Sequence, residues 1–177
     1  IKAIAEAVQS GKKTAILLGG QALREASLLP AAKIAVACGV KLFAETFPTR
    51  IERGAGLPPV ERIAYLAELA GVQLADVEHL ILVDCKAPVS FFAYPGKQSY
   101  LAPESCTVHT LSSPEQDAAA SLHKLAQVLD ADSATPALQQ PRPPDAPRGR
   151  LTAPKVCKAI GHYLPENAII VDESITS

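Results

Sequence analysis

Residues 14–20, TAILLGG, constrain the fold more tightly than any other stretch: Ala15 to Leu18 are apolar at every position, and two glycines follow at once. A strand with one wet face alternates apolar and polar side chains, because successive residues point to opposite sides. A run that is apolar on both faces needs cover on both faces, which is the condition of an inner strand in a parallel sheet. Similar short runs recur at residues 40–45 (VKLFAE), 79–84 (HLILVD) and 106–111 (CTVHTL), and read as three further strands. The segments between them have helical periods. Ile1, Ile4, Ala5 and Val8 share one helical face over residues 1–10, and Gly11 stops that helix. Residues 21–38 are Ala-rich and helical, residues 58–70 read as a helix beginning near Pro59, and residues 114–130 as one opened by Pro114 and Glu115. Strands alternating with helices imply a parallel sheet covered on both faces, and right-handed crossovers make it a Rossmann-like, doubly wound α/β fold. Ligands of such sheets lie beyond the carboxyl ends of the strands. Those ends are Gly19-Gly20, Glu45-Thr46, Asp84-Cys85 and Leu111-Ser112.

Beyond residue 132 the chain changes character. Residues 133–150, SATPALQQPRPPDAPRGR, are proline-rich and poor in apolar side chains, so they read as a semi-rigid interdomain linker. Residues 151–164 are helical, with Thr152 as N-cap and Pro154 in the first turn; residues 165–167 turn the chain, and AIIVD at 168–172 reads as a buried strand. The expected organisation is a complete domain over 1–132, a linker over 133–150, and an incomplete second α/β unit over 151–177. With Ile1 first, no methionine, and a strand-like tail last, both ends read as cuts.

The totals exclude several classes. A formal net charge of -1 with no dense Lys/Arg run argues against nucleic-acid binding. An aromatic content of 5% without tryptophan argues against a base-stacking platform. No apolar run approaches the ~20 residues of a membrane span, and no signal peptide is visible, so a cytoplasmic protein is expected. Cys38, Cys85, Cys106 and Cys157 are far apart, lack metal-ligand spacing, and read as reduced, buried thiols. His79, His109, His123 and His162 read as structural.

The strand ends supply the candidate sites. Gly19 and Gly20, leading into a helix, mark a possible vestigial nucleotide site, although the stretch is not GxGxxG and has no phosphate-loop lysine; a tight turn is the competing reading. Asp84 can bind ribose hydroxyls or serve as a cap or turn residue. Glu45, Arg50, Glu52 and Arg53 read as a solvated loop with local ion pairs. Phe91, Phe92, Tyr94 and Tyr100 can cover a sheet edge or a subunit interface. No nucleophile–base pair, paired carboxylates or metal cluster can be assembled from residues 1–150, so on its residues this stretch is a scaffold or binding domain.

Four stretches in order, IKAIAEAVQSGKKTAILLGGQAL, VKLFAETFPTRIERGAG, HLILVDCKAPVSFFAYPGK and LTAPKVCKAIGHYLPENAIIVDESITS, resemble thiamine diphosphate-dependent 2-oxo acid enzymes: acetolactate synthase, benzoylformate decarboxylase, pyruvate decarboxylase and their relatives. Within them, the chain is most similar to the acetolactate synthase-like group. The resemblance implies a central domain followed by the start of the diphosphate-binding domain. It also implies a parent enzyme that uses thiamine diphosphate and Mg2+ to cleave or join a bond beside a 2-oxo acid carbonyl. By the same resemblance, Glu173, Ser174, Thr176 and Ser177 lie near the cofactor's diphosphate. No catalytic residue and no metal ligand is expected in this chain, because the activating glutamate and the Gly-Asp-Gly segment belong to other parts of such enzymes. Partners implied are the other domains of the subunit and a second or further copies, as a homodimer or homotetramer. The stretches that support FAD in true acetolactate synthases are replaced here by FPTRIERGAG and DCKAPVSFF, which counts against FAD. The chain by itself is expected to be inactive. The alternatives are a stand-alone FAD-, ADP- or NAD-binding module without catalysis and a purely structural assembly domain.

Overall fold

A computed structural model describes residues 1–93, 95–96 and 98–173. It divides into two compact units, residues 1–139 and 140–177. In the first, the elements run α1 (Lys2–Gln9), β1 (Thr14–Leu18), a 3-10 turn (Gly20–Leu23), α2 (Glu25–Cys38), β2 (Lys41–Ala44), β3 (Glu61–Arg62), α3 (Ala67–Leu74), β4 (His79–Val83), β5 (Thr107–Ser112) and α4 (Ala118–Val128). The sheet order is β3-β2-β1-β4-β5, and all four pairings are parallel. This is the doubly wound arrangement expected from the sequence. The chain moves outward from β1 to β3 and then returns to the other side of β1, so the switch point lies between β1 and β4.

The core follows from the all-apolar runs. Ile16 and Leu18 of β1 join Ile81 and Val83 of β4 on one face, where they meet Ile4 of α1, Leu28 and Ile34 of α2, and Leu122 and Leu125 of α4. Ala15 and Leu17 point the other way and join Phe43, Leu80, Leu82 and Leu74 of α3. All five residues of β1 are buried, as a central strand requires. Each buried large side chain contributes about 1.5–3 kcal/mol of hydrophobic stabilisation relative to exposure, so the period-two split of β1 and β4 fixes two cores with one set of strands.

In the first unit, sequence expectations change at three segments. The helix expected over 58–70 is instead the short edge strand β3, paired through Glu61 and Arg62 with Phe43 and Ala44, and then α3 from Ala67. Pro58 and Pro59 cannot sit inside a helix without losing backbone hydrogen bonds, and the edge of β2 offers ladder partners instead. The helix expected from Pro114 begins at Ala118, where the Asp117 carboxylate accepts the Ala120 N–H at 2.9 Å. Residues 133–139, assigned to the linker, pack on the first unit: Gly56 N–H donates to Gln139 O at 3.0 Å and Gln139 N–H to Leu57 O at 2.9 Å.

The second unit contains α5 (Ala153–Tyr163), preceded by Thr152 at the N-cap position, as the sequence indicates. His162 Nδ1 donates to the Pro144 carbonyl at 2.8 Å, and Lys155 Nζ to the Arg148 carbonyl at 2.7 Å. The buried strand expected at 168–172 does not form: Ile169, Ile170 and Val171 are 74%, 57% and 79% exposed. An apolar run becomes a strand only where a neighbouring strand completes its hydrogen-bond ladder, and among the described residues of this unit there is none. Among the described residues, no helix is long and apolar enough to cross a membrane.

Candidate functional site

The switch point is built from three strand ends. The ladder continues one residue past the strands, with Gly19 N–H donating to Val83 O at 3.0 Å, Glu45 N–H to Leu18 O at 3.0 Å and Asp84 N–H to Ser112 O at 3.0 Å. Glu45 and Asp84 therefore flank the glycine pair from either side. Asp84 takes a left-handed turn, φ 52°, which aims its carboxylate back across the end of β1. Its Oδ2 accepts the Gln21 N–H at 2.5 Å, while Glu45 Oε1 accepts the Gly20 N–H at 3.2 Å. Asp84 thus fills the turn-and-cap role considered for it, on a turn distant in sequence. Glu45, read as a solvated loop residue, is partly buried and belongs to this constellation. Its signal in the sequence was its place immediately after an inner strand, but its partner could only be named once β2 was placed beside β1.

Both glycines are dictated by these carboxylates. A Cβ on Gly19 would stand 2.7 Å from Cys85 Cβ, 2.7 Å from Glu45 Oε1 and 2.9 Å from the Asp84 carbonyl oxygen. Gly20 has φ 42° and a Cβ there would come within 2.7 Å of Asp84 Cγ. The pair satisfies the tight-turn reading, and the space it leaves is filled by the chain itself. Burial pushes the Glu45 carboxyl above its ordinary range against the lowering effect of the Gly20 N–H, with the Asp84 charge adding to the rise. Beneath it, the Cys85 thiol donates to Leu17 O at 3.2 Å, and burial raises its pKa to about 12.

The remaining candidates divide. Glu52 accepts the Glu25 N–H at 2.6 Å at the start of α2 and lies 4.0 Å from Arg50, an interaction of the local kind expected. Phe47, Tyr65, Phe91 and Phe92 form a ring cluster with centroids 4.9–5.5 Å apart, drawn from three loops at the carboxyl edge. Tyr100 is exposed, and Tyr94 lies outside the described residues. His79 Nδ1 and His109 Nε2 meet at 3.2 Å across β4 and β5; burial and the neighbouring ring lower the His109 pKa. All four cysteines are free, but only partial burial holds for Cys38, Cys85 and Cys106, and Cys157 is exposed because α5 buries none of its residues. Among the described residues, no three His, Cys, Asp or Glu side chains converge to hold a metal ion. Glu173 is exposed; Ser174, Thr176 and Ser177 lie outside the described residues.

A five-stranded parallel sheet in this order, with its switch point beyond β1 and β4, defines a Rossmann-like α/β domain. Over 173 residues the chain is 46% identical to a Mycobacterium tuberculosis protein named provisionally as acetolactate synthase large subunit IlvX, a match covering 98% of this chain and 33% of the relative. The chain thus spans about a third of the length of that relative. Its fold is also found in a Mycobacterium smegmatis structure described provisionally as a thiamin diphosphate-dependent enzyme, at a TM-score of 0.55 and 15% identity, over 81% of this chain and 30% of that one. No family model matches the chain. The resemblance to acetolactate synthase-like proteins read from the sequence is borne out by this relative, and the expected fold by the Mycobacterium smegmatis structure.

Proposed function

We propose that the chain is the central domain, with the opening of the diphosphate-binding domain, of a thiamine diphosphate- and Mg2+-dependent enzyme acting on 2-oxo acids as an acetolactate synthase-like carboligase or a decarboxylase. The observation that carries this reading is the 46% identity sustained over 98% of the chain, across both units. A doubly wound sheet whose switch-point donors are internally satisfied supports a scaffold role for residues 1–139. In such a parent the cofactor supplies carbanion stabilisation, and the protein supplies binding and orientation. The donor set after residue 172 fits a diphosphate: the hydroxyls of Ser174, Thr176 and Ser177 and the amides from Glu173 onward can donate to phosphate oxygens. The parent is a cytoplasmic homodimer or homotetramer in this reading.

The chain alone has no turnover in this proposal. Incubating it with pyruvate, thiamine diphosphate and Mg2+ should release no carbon dioxide and form no acetolactate; steady release would overturn the claim. The whole reading frame that contains this segment should consume a 2-oxo acid only when both cofactors are supplied. Consumption without thiamine diphosphate, or none with any 2-oxo acid tried, would sink the enzyme assignment.

A further inference from the structure

We infer that the phosphate seat of this α/β domain is closed by its own Glu45 and Asp84 carboxylates, which stand where a nucleotide's phosphates would be, so that the domain takes no FAD, NAD or ADP. In dinucleotide-binding sheets of this order, the pyrophosphate rests on free backbone N–H groups just after the first strand, and glycines let it come close. Here those N–H groups are already used. Gly19 N–H donates to Val83 O at 3.0 Å and Ala22 N–H to Gly19 O at 2.8 Å. The two between them donate to side chains, Gly20 to Glu45 at 3.2 Å and Gln21 to Asp84 at 2.5 Å. No donor from Gly19 to Ala22 is left for a ligand.

Space and charge lead to the same conclusion. The room that an absent Cβ gives a pyrophosphate in other sheets is occupied here, since Glu45 Oε1 and Asp84 Cγ each lie 2.7 Å from where a Cβ of Gly19 or Gly20 would be. Among the described residues, neither Lys nor Arg forms an ion pair with Glu45 or Asp84. An incoming phosphate would thus meet two carboxylates, and like charges repel. The carboxylates also tie together the carboxyl ends of β1, β2 and β4, which come from three separate parts of the chain. The glycine pair, which in sequence looks like a remnant of nucleotide binding, serves an internal clasp.

The inference stands whether or not the parent enzyme is the one proposed above, and it separates the scaffold reading from the nucleotide-module reading. The test uses the 177-residue chain, labelled for amide resonances, titrated with inorganic pyrophosphate, ADP and FAD. The Gly20 and Gln21 resonances of the natural chain should show no saturable shift up to ~1 mM ligand, the regime of very weak binding. Asp84→Gly removes one carboxylate and keeps a residue that tolerates the left-handed backbone; Glu45→Ala removes the other and leaves residue 84 untouched. Each variant, checked for a native amide spectrum, should bind pyrophosphate at least about tenfold more tightly than the natural chain, a difference of ~1.4 kcal/mol. Saturable shifts of Gly20 and Gln21 in the natural chain would overturn the inference. So would folded variants that bind pyrophosphate no better than it does, because something other than the carboxylates would then close the seat.

Discussion

Glu45 illustrates how a single residue's neighbours set its chemistry. Its carboxyl is held above the ordinary range by burial and by Asp84, despite the Gly20 hydrogen bond. A raised folded-state pKa means that the folded chain holds the proton more tightly than the unfolded one, so Glu45 supports folding fully below its unfolded pKa and loses that support as pH rises through the folded value. Glu45→Gln keeps an acceptor for Gly20 and removes the charge. Its melting temperature should exceed that of the natural chain near about pH 7 and converge with it toward about pH 4, where glutamate is largely protonated; a gap that widens on acidification would refute this account. Ser112 presents the opposite case. Its Oγ is buried at the end of β5 without a hydrogen-bond partner among the described residues, and leaving a buried polar group unpaired costs about 1–3 kcal/mol. Ser112→Ala should therefore raise the unfolding free energy by about 1 kcal/mol in urea denaturation, while a loss of stability would show that the hydroxyl is satisfied in solution.

At the scale of elements, β1 carries the most information. Its residues Ala15 to Leu18 divide between both cores, and its carboxyl end enters the clasp. Gly19→Ala would drive a methyl group into Cys85, Glu45 and the Asp84 carbonyl, where backbone leaves little room to yield. Overpacking of this kind typically costs about 1–3 kcal/mol. Chemical denaturation should show a loss of that size, and a neutral result would mean that β1 and β4 can separate at the switch point. The inner strands were legible in the sequence because a run such as AILL or LILV has one stable environment. β3 was not, because two residues carry no period and only the exposed edge of β2 makes them a strand. The AIIVD run failed for the complementary reason: its composition suits a strand, but nothing among the described residues of its unit completes a ladder. In the site, Gly19, Gly20, Glu45 and Asp84 were all visible as strand-end residues, but Glu45 was grouped with the loop charges because its partner lies 25 positions away.

For the molecule as a whole, the two units should respond differently to chemical probes. Arg148 and Arg150, followed by Gly149 and Leu151, are exposed on backbone without regular structure. Limited trypsin digestion should cut there first and leave a resistant product carrying Cys38, Cys85 and Cys106; early cleavage within residues 1–139 would contradict the division seen here. Thiol labelling adds an independent reading. Burial raises the pKa of Cys38 and Cys106 and lifts that of Cys85 to about 12, whereas Cys157 is exposed. Only the thiolate reacts, so at about pH 8 a maleimide should modify Cys157 first and Cys85 last, with mass spectrometry reading the order.

The sequence by itself determined the class of fold, because all-apolar strands separated by amphipathic helices can be buried in few ways other than a covered parallel sheet. It also pointed to the relatives, through the order of four stretches that run the length of the chain. Only the tertiary structure showed what comes close to the glycine pair. A glycine specifies that something comes close, not what that something is. Here the answer came from Glu45 and Asp84, delivered by strands that are neighbours in space and far apart in the chain.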